Sequence, residues 1–244
     1  MTTGAPLQLF QFCPVLLDML ETRHIVGKSG KVFEGSTAVS TPNNLIMLRR
    51  PMLELKAERT LEVGLSLGGS ALVFTATHRD LGHAGRHAHT AIDPYQSTVW
   101  DSAALVALER ANLLDHLEFK AGLSALELPK LVEAKQRFDL IYIDGSHIVE
   151  DVFVDAYFAV QLLSDDGIVA FDDCNSPHIA KVLRFIRRNL HAGLTEIDLL
   201  QYRDASSAQK LKYRLARSMG KTQMAAFRCI GNTARNWDAP YRAF

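Results

Sequence analysis

The chain has 244 residues, 48% of them hydrophobic and 22% charged, and its 27 basic side chains balance 27 acidic ones. That is an ordinary globular composition, enough for one large α/β domain with a substantial core. A net charge of +0 gives no global electrostatic case for binding nucleic acid or an anionic membrane. Cys13, Cys174 and Cys229 are scattered and form no Cys-x-x-Cys pair, which argues against a disulfide framework or a structural zinc and fits a cytoplasmic setting.

The N-terminal stretch lacks a basic start and is interrupted by Asp18, so no signal peptide is expected. No uncharged apolar run reaches the roughly 18 residues of a membrane span. Residues 6–22 pattern as a short amphipathic helix, and 23–41 read as a Gly/Ser/Thr-rich loop. Thr41 is placed to cap a helix over 43–56, with Pro42 in its first turn. From residue 60 strand-length apolar runs alternate with helical periodicity. Strands are predicted at 60–64, 89–93, 117–121, 138–144, 167–173, 195–202 and 223–230. Helices are predicted at 69–79, 100–112, 124–135, 148–163 and 178–190. Such alternation implies right-handed crossovers and a mostly parallel sheet. Residues 203–222 read as a long basic linker.

Ligands of an open parallel sheet bind beyond the carboxyl ends of its strands, so strand ends carry the information. The first strand ends in LEVGLSLGGS. Gly64, Gly68 and Gly69 permit a tight turn and close approach of a ligand. Ser70 falls at the following helix N-terminus, where a carboxylate is favoured. The pattern G-x-x-x-G-G-S is not the dinucleotide fingerprint, and Glu62 before it suits a ligand ammonium better than a pyrophosphate. A plain glycine turn is the alternative. Asp93, ending AID about 25 residues later, stands where an acid binds ribose hydroxyls; capping the Asp-Pro turn is its other reading. Gly122 and Ser124 border an expected adenine slot.

The fourth and fifth strands end in Asp144 and in Asp172–Asp173. Three carboxylates at one sheet edge repel one another, and a divalent cation relieves this. Oxygen ligands select Mg²⁺, Ca²⁺ or Mn²⁺ over zinc. Helix capping competes with this reading, for Asp173 above all, and Asn175 is a spare ligand. His147, three residues after Asp144, lies one turn away if 145–148 opens a helix; otherwise it is a loop histidine. His78, His83, His87 and His89 read as a solvated turn. The basic run Arg203, Lys210, Lys212, Arg214, Arg217 and Lys221 reads as a lid, a phosphate-recognition surface or, preferably, a plain soluble loop. Tyr95, Trp100 and Phe171 read as packing residues, the first two alternatively bordering adenosine.

Together LEVGLSLGGSA, AIDPY, FDLIYIDGSH and LLSDDGIVAFDD resemble the class I S-adenosylmethionine-dependent methyltransferases over roughly residues 40–230. Within these the chain is similar to O-methyltransferases of the macrocin sugar type and, more distantly, the catechol type. The resemblance implies a Rossmann-like α/β fold. Its seven-stranded sheet has order 3-2-1-4-5-7-6, the last strand antiparallel, with helices on both faces. It implies a catalytic domain over 42–244, preceded by a segment 1–41 that caps the acceptor or contacts a second copy. It further implies S-adenosylmethionine held by Glu62, Gly64, Gly68, Ser70, Asp93, Gly122, Ser124 and Asp144. Mg²⁺, or another hard cation, is implied on Asp144, Asp172 and Asp173. His147, with Asp144, is the catalytic candidate, where catechol enzymes place a lysine. The expected reaction is O-methylation of a small hydroxylated acceptor, a sugar-containing metabolite or vicinal diol, with no nucleic-acid or membrane partner. Metal-free N- or O-methylation, an NAD-linked oxidoreductase and a non-catalytic adenosylmethionine-binding protein are the alternatives.

Overall fold

A computed structural model of the chain describes residues 6–34, 39–83, 88–240 and 242–244. They fall into two compact units, residues 1–123 with 202–205, and 124–201 with 206–244. The division thus falls within the strand series, and the N-terminal segment belongs to the first unit.

In the first unit a 3-10 turn at Leu7–Phe10 precedes helix α1 (Pro14–Thr22), then strands β1 (His24–Val26) and β2 (Val32–Glu34). Helix α2 (Pro42–Leu55), strand β3 (Thr60–Val63), helix α3 (Gly69–Asp80), strand β4 (His89–Ile92), helix α4 (Ala103–Arg110) and strand β5 (Leu117–Lys120) follow. As expected, the Thr41 hydroxyl caps α2 by accepting from the Asn44 amide, and Pro42 occupies the first turn. β3 and β4 are buried along their whole length, as strands covered on both faces must be.

The second unit runs α5 (Ser124–Glu133), β6 (Phe138–Ile143), α6 (Val149–Leu162), β7 (Leu163–Phe171), α7 (Pro177–Asn189), β8 (Leu194–Ile197), α8 (Ser207–Ser218) and β9 (Ala225–Cys229). The large sheet has strand order β5-β4-β3-β6-β7-β9-β8. β3, β4 and β5 pair in parallel, as do β6 and β7, while β9 is antiparallel to both β7 and β8. Counted from β3, this is the expected order 3-2-1-4-5-7-6. No helix among the described residues is long and apolar enough to cross a membrane.

The expected helix over 6–22 is a 3-10 turn followed by the shorter α1, the expected strand over 195–202 ends at Ile197 before a 3-10 turn at Leu199–Gln201, and two further stretches depart more strongly from the sequence reading. Part of the 23–41 loop is an antiparallel β1–β2 hairpin. The Asp101 carboxylate holds it, accepting from the Ser29 amide at 2.9 Å and the Ser29 hydroxyl at 2.6 Å. Those two bonds keep the Asp101 carboxyl below its usual range. Its anchor lies 72 residues downstream, beyond the reach of a local pattern. The supposed linker 203–222 contains α8, opened by a full capping box between Ser206 and Gln209. Its Leu211, Leu215 and Met219 are exposed at helical spacing, so charge count alone was a poor guide there.

Asp155, on α6, is 1% exposed, and neither carboxylate oxygen has a well-formed hydrogen bond. Burial pushes its carboxyl up to about 6 against the pull of the Ser124 hydroxyl, and Asp151 adds to the push. The folded state therefore keeps this proton to higher pH than the unfolded chain does. The stability it gives is full below about pH 4 and is lost as pH rises through about 6. Moving a carboxyl from 3.8 to about 6 corresponds to roughly 3 kcal/mol at most. Asp155→Asn is expected to stabilise the protein at pH 8 by up to about that amount and to change little near pH 4. Urea denaturation at both pH values measures this, and a pH-independent difference would contradict it.

Candidate active site

The turn after β3 is built on glycines in conformations other residues avoid: Gly64 has φ +95° and Gly68 φ +86°. A side chain on Gly68 would also meet Ala104 Cβ at 2.8 Å. The Asp93 carboxylate fixes the turn from the end of β4. One oxygen accepts from the Leu65 amide (3.1 Å), the Ser66 amide (2.8 Å) and the Gln96 side-chain amide (3.2 Å). The other accepts from the Tyr95 amide at 2.6 Å. A carboxylate offers about four lone-pair positions, so the second oxygen can still accept a ligand hydroxyl. Asp93 thus shapes its own turn through the Tyr95 amide and ties that turn to the glycine loop.

Glu62 and Ser70 are bonded to each other. The Ser70 hydroxyl donates to Glu62 at 2.6 Å, and His89 Nε2 reaches the second Glu62 oxygen at 3.1 Å. The chain of contacts continues. Thr60 Oγ1 bridges His89 Nδ1 (2.9 Å) and His78 Nε2 (2.8 Å), and His78 Nδ1 meets His83 Nδ1 at 2.9 Å. Glu62, Thr60, His78 and His89 are fully buried and His83 nearly so. The expectation of a solvated turn fails for these three histidines because β4 and α3 draw them into the core; His87 lies outside the described residues. Of the remaining cofactor candidates in this unit, the Gly122 amide donates to Lys120 O at 3.0 Å. Tyr95 is exposed rather than packed, whereas Trp100 lies 6.3 Å from Phe33.

In the second unit Ile143 and Phe171 pair across parallel β6 and β7, so Asp144 and Asp172 leave the sheet side by side. Asp172 is buried, and one of its oxygens accepts from Tyr142 OH at 2.6 Å. The other accepts from the Asp173 amide (2.8 Å) and the Gln223 side-chain amide (2.9 Å). Tyr142 OH also lies 3.0 Å from Asp144 Oδ2. Asp173, at φ +49°, turns its carboxylate to His147 Nε2 at 3.1 Å. Ligand atoms of Asp144, His147 and Asp173 lie within 4.8 Å of one another. The group that converges is therefore Asp144, His147 and Asp173, with Asp172 bonded behind it. His147 precedes α6 rather than opening it, and the helix after Pro177 is preceded by Ser176, not capped by Asp173. Ser124 starts α5 beside Asp155 rather than standing alone. Tyr142 and Gln223 were missed. Tyr142 was detectable, since i and i+2 share a strand face with Asp144. Gln223 belongs to the approach to an antiparallel strand and gives no local signal.

Two carboxylates and an imidazole can hold a hard or borderline divalent ion, or can orient and charge a histidine base. Residues 61–174 match the family model of a methyltransferase domain. No curated protein matches the chain. Among solved structures it is similar to an O-methyltransferase from Bacillus cereus in complex with SAH, at 18% identity and TM-score 0.59, covering 88% of this chain and 90% of that one. The O-methyltransferase TomG from Streptomyces achromogenes, involved in tomaymycin synthesis and solved with SAM, is 17% identical at TM-score 0.61 over 89% and 90% of the two chains. At these identities the likeness shows the fold of the methyltransferase domain.

The buried chain makes a sharp stability prediction. His89→Leu takes one buried partner from Glu62 and one from Thr60, leaving Ser70 and His78 as their remaining ones, at a cost of about 1–3 kcal/mol per group. A urea midpoint lowered by several kcal/mol equivalents is expected, and an unchanged midpoint would show the chain to be energetically idle.

Proposed function

We propose that the protein transfers a methyl group from S-adenosylmethionine to a hydroxyl of a small molecule. The observation that carries this is the His147–Asp173 pair beside Asp144 at the ends of β6 and β7. S-adenosylmethionine, when bound, supplies an electrophilic methyl group. The glycine turn after β3 fits it, since the second Asp93 oxygen can take a ribose hydroxyl and the turn admits close approach. His147 donates Nε2–H to Asp173 and takes the acceptor proton at Nδ1 as the new C–O bond forms and the methyl–sulfur bond breaks, and Asp173 stabilises the imidazolium. A divalent cation would be held by Asp144 and Asp173, with Asp172 and Tyr142 fixing their positions. It would lower the pKa of the bound hydroxyl. That the structural neighbours are O-methyltransferases supports hydroxyl over amine acceptors. An acceptor bearing a sugar or a vicinal diol follows from the macrocin- and catechol-type resemblance.

Asp93→Ala is expected to weaken adenosylhomocysteine binding at least about tenfold, from lost charge-assisted bonds and a loosened turn. Titration calorimetry reads it, and unchanged affinity would remove Asp93 from the site. Turnover of labelled S-adenosylmethionine against a panel of sugars and diols tests the reaction itself. There His147→Ala should lower kcat by about 10²–10⁴. Mn²⁺ titration followed by electron paramagnetic resonance separates the two uses of His147. Retained Mn²⁺ affinity with lost turnover marks a base, whereas lost affinity marks a ligand. No Mn²⁺ binding, with full activity in EDTA, would dismiss the metal.

A further inference from the structure

The second unit holds a cavity of about 700 Å³ whose wall carries Arg184 and Arg187 from α7, Arg214 and Arg217 from α8, and Glu196 from β8. Four guanidiniums thus face one carboxylate. Glu196 is shared: Arg187 grips both of its oxygens at 2.8 and 2.9 Å, and Arg217 reaches it at 2.8 Å. Asp198, nearby, lies 3.4 Å from Arg217 and 3.5 Å from Arg214. Counting it, the group keeps a surplus of two positive charges. Arg184 forms no ion pair among the described residues. The surplus is local, because the chain as a whole is neutral while residues 205–222 carry Lys210, Lys212, Arg214, Arg217 and Lys221 and no acid.

A concave wall with more guanidiniums than carboxylates concentrates anions, and the planar fork of arginine matches phosphate oxygens two at a time. The volume falls within the roughly 300–1,000 Å³ of small-molecule sites, larger than one phosphate needs. We propose that this cavity binds a phosphate-bearing small molecule, its phosphate held between Arg184 of α7 and Arg214 of α8, while Arg187 and Arg217 stay locked on Glu196. The basic stretch of α8 then has a purpose, because it forms one wall of an anion site. Cys174 and Thr222 also line the cavity. They adjoin Asp173 and Gln223, so an occupant sits one residue from the acid cluster on two segments.

The site does not depend on methyl transfer, so binding alone tests it. Inorganic pyrophosphate is titrated into the full chain by calorimetry, in EDTA and at matched ionic strength. One-to-one binding is expected in the wild type. Arg184→Gln removes an exposed, unpaired side chain and leaves folding intact, so it should weaken binding at least about tenfold. Adding Arg214→Gln should abolish it. Arg110→Gln, a surface change in the other unit, should leave it unaltered. No binding by the wild type, or equal binding by wild type and Arg184→Gln, would overturn the proposal. An equal loss in Arg110→Gln would do so too, by showing diffuse charge attraction.

Discussion

Everything at the end of β3 depends on the Asp93 carboxylate. The turn after that strand contains Gly64, Ser66 and Gly68, all with positive φ, a conformation costly to hold without outside support. Asp93 supplies that support by accepting the Leu65 and Ser66 amides. The same carboxylate is anchored on its own side by the Tyr95 amide. One ionised group thus ties the ends of two adjacent strands, and the shape of the turn becomes a consequence of its charge. A neutral side chain there would offer fewer acceptors, and the amides would have to turn elsewhere.

Behind the turn, polarity is buried in depth. Ser70, Glu62, His89, Thr60, His78 and His83 form a continuous line of contacts through a part of the first unit that is otherwise apolar. A line of this kind is costly unless each member is satisfied, and each is. It fixes which way β3 and β4 face, because sliding either strand by one residue would expose an acid or an imidazole to the apolar side. The register Thr60↔His89 and Glu62↔Ala91 is therefore set by polar pairing as much as by the hydrophobic pattern.

Much of the fold was legible because its signals are local. Alternating strand and helix periods, the Thr41–Pro42 start and the strand-ending acids are all short-range, and they led to a mostly parallel sheet, while the strand order that the structure has came from the family resemblance. What escaped were long-range causes. The β1–β2 hairpin depends on Asp101, and the histidines lie in the core because α3 folds over β4. Whether a carboxylate faces an open site or a tyrosine cannot be read from its position alone. Asp172 and Asp173 are neighbours in sequence and share the Gln223 amide, yet Asp172 bonds inward to Tyr142 while Asp173 faces His147. The positive φ of Asp173 separates them, and nothing in the letters DD announces it.

The acid cluster is sharpened by a shortage of protons. Tyr142 OH lies within bonding distance of Asp172 (2.6 Å) and of Asp144 (3.0 Å), and a phenol has one proton to give. The phenol hydrogen is shared between the two, with the shorter contact to Asp172, and Asp144 also has the Asp173 carboxylate close by. Such a place favours positive charge, whether a divalent ion or the imidazolium of His147. Asp172 is spared this, because Tyr142 and the Gln223 and Asp173 amides neutralise its field by hydrogen bonding. The three aspartates at this sheet edge therefore differ: Asp172 is bonded inward through both oxygens, while Asp144 and Asp173 converge with His147.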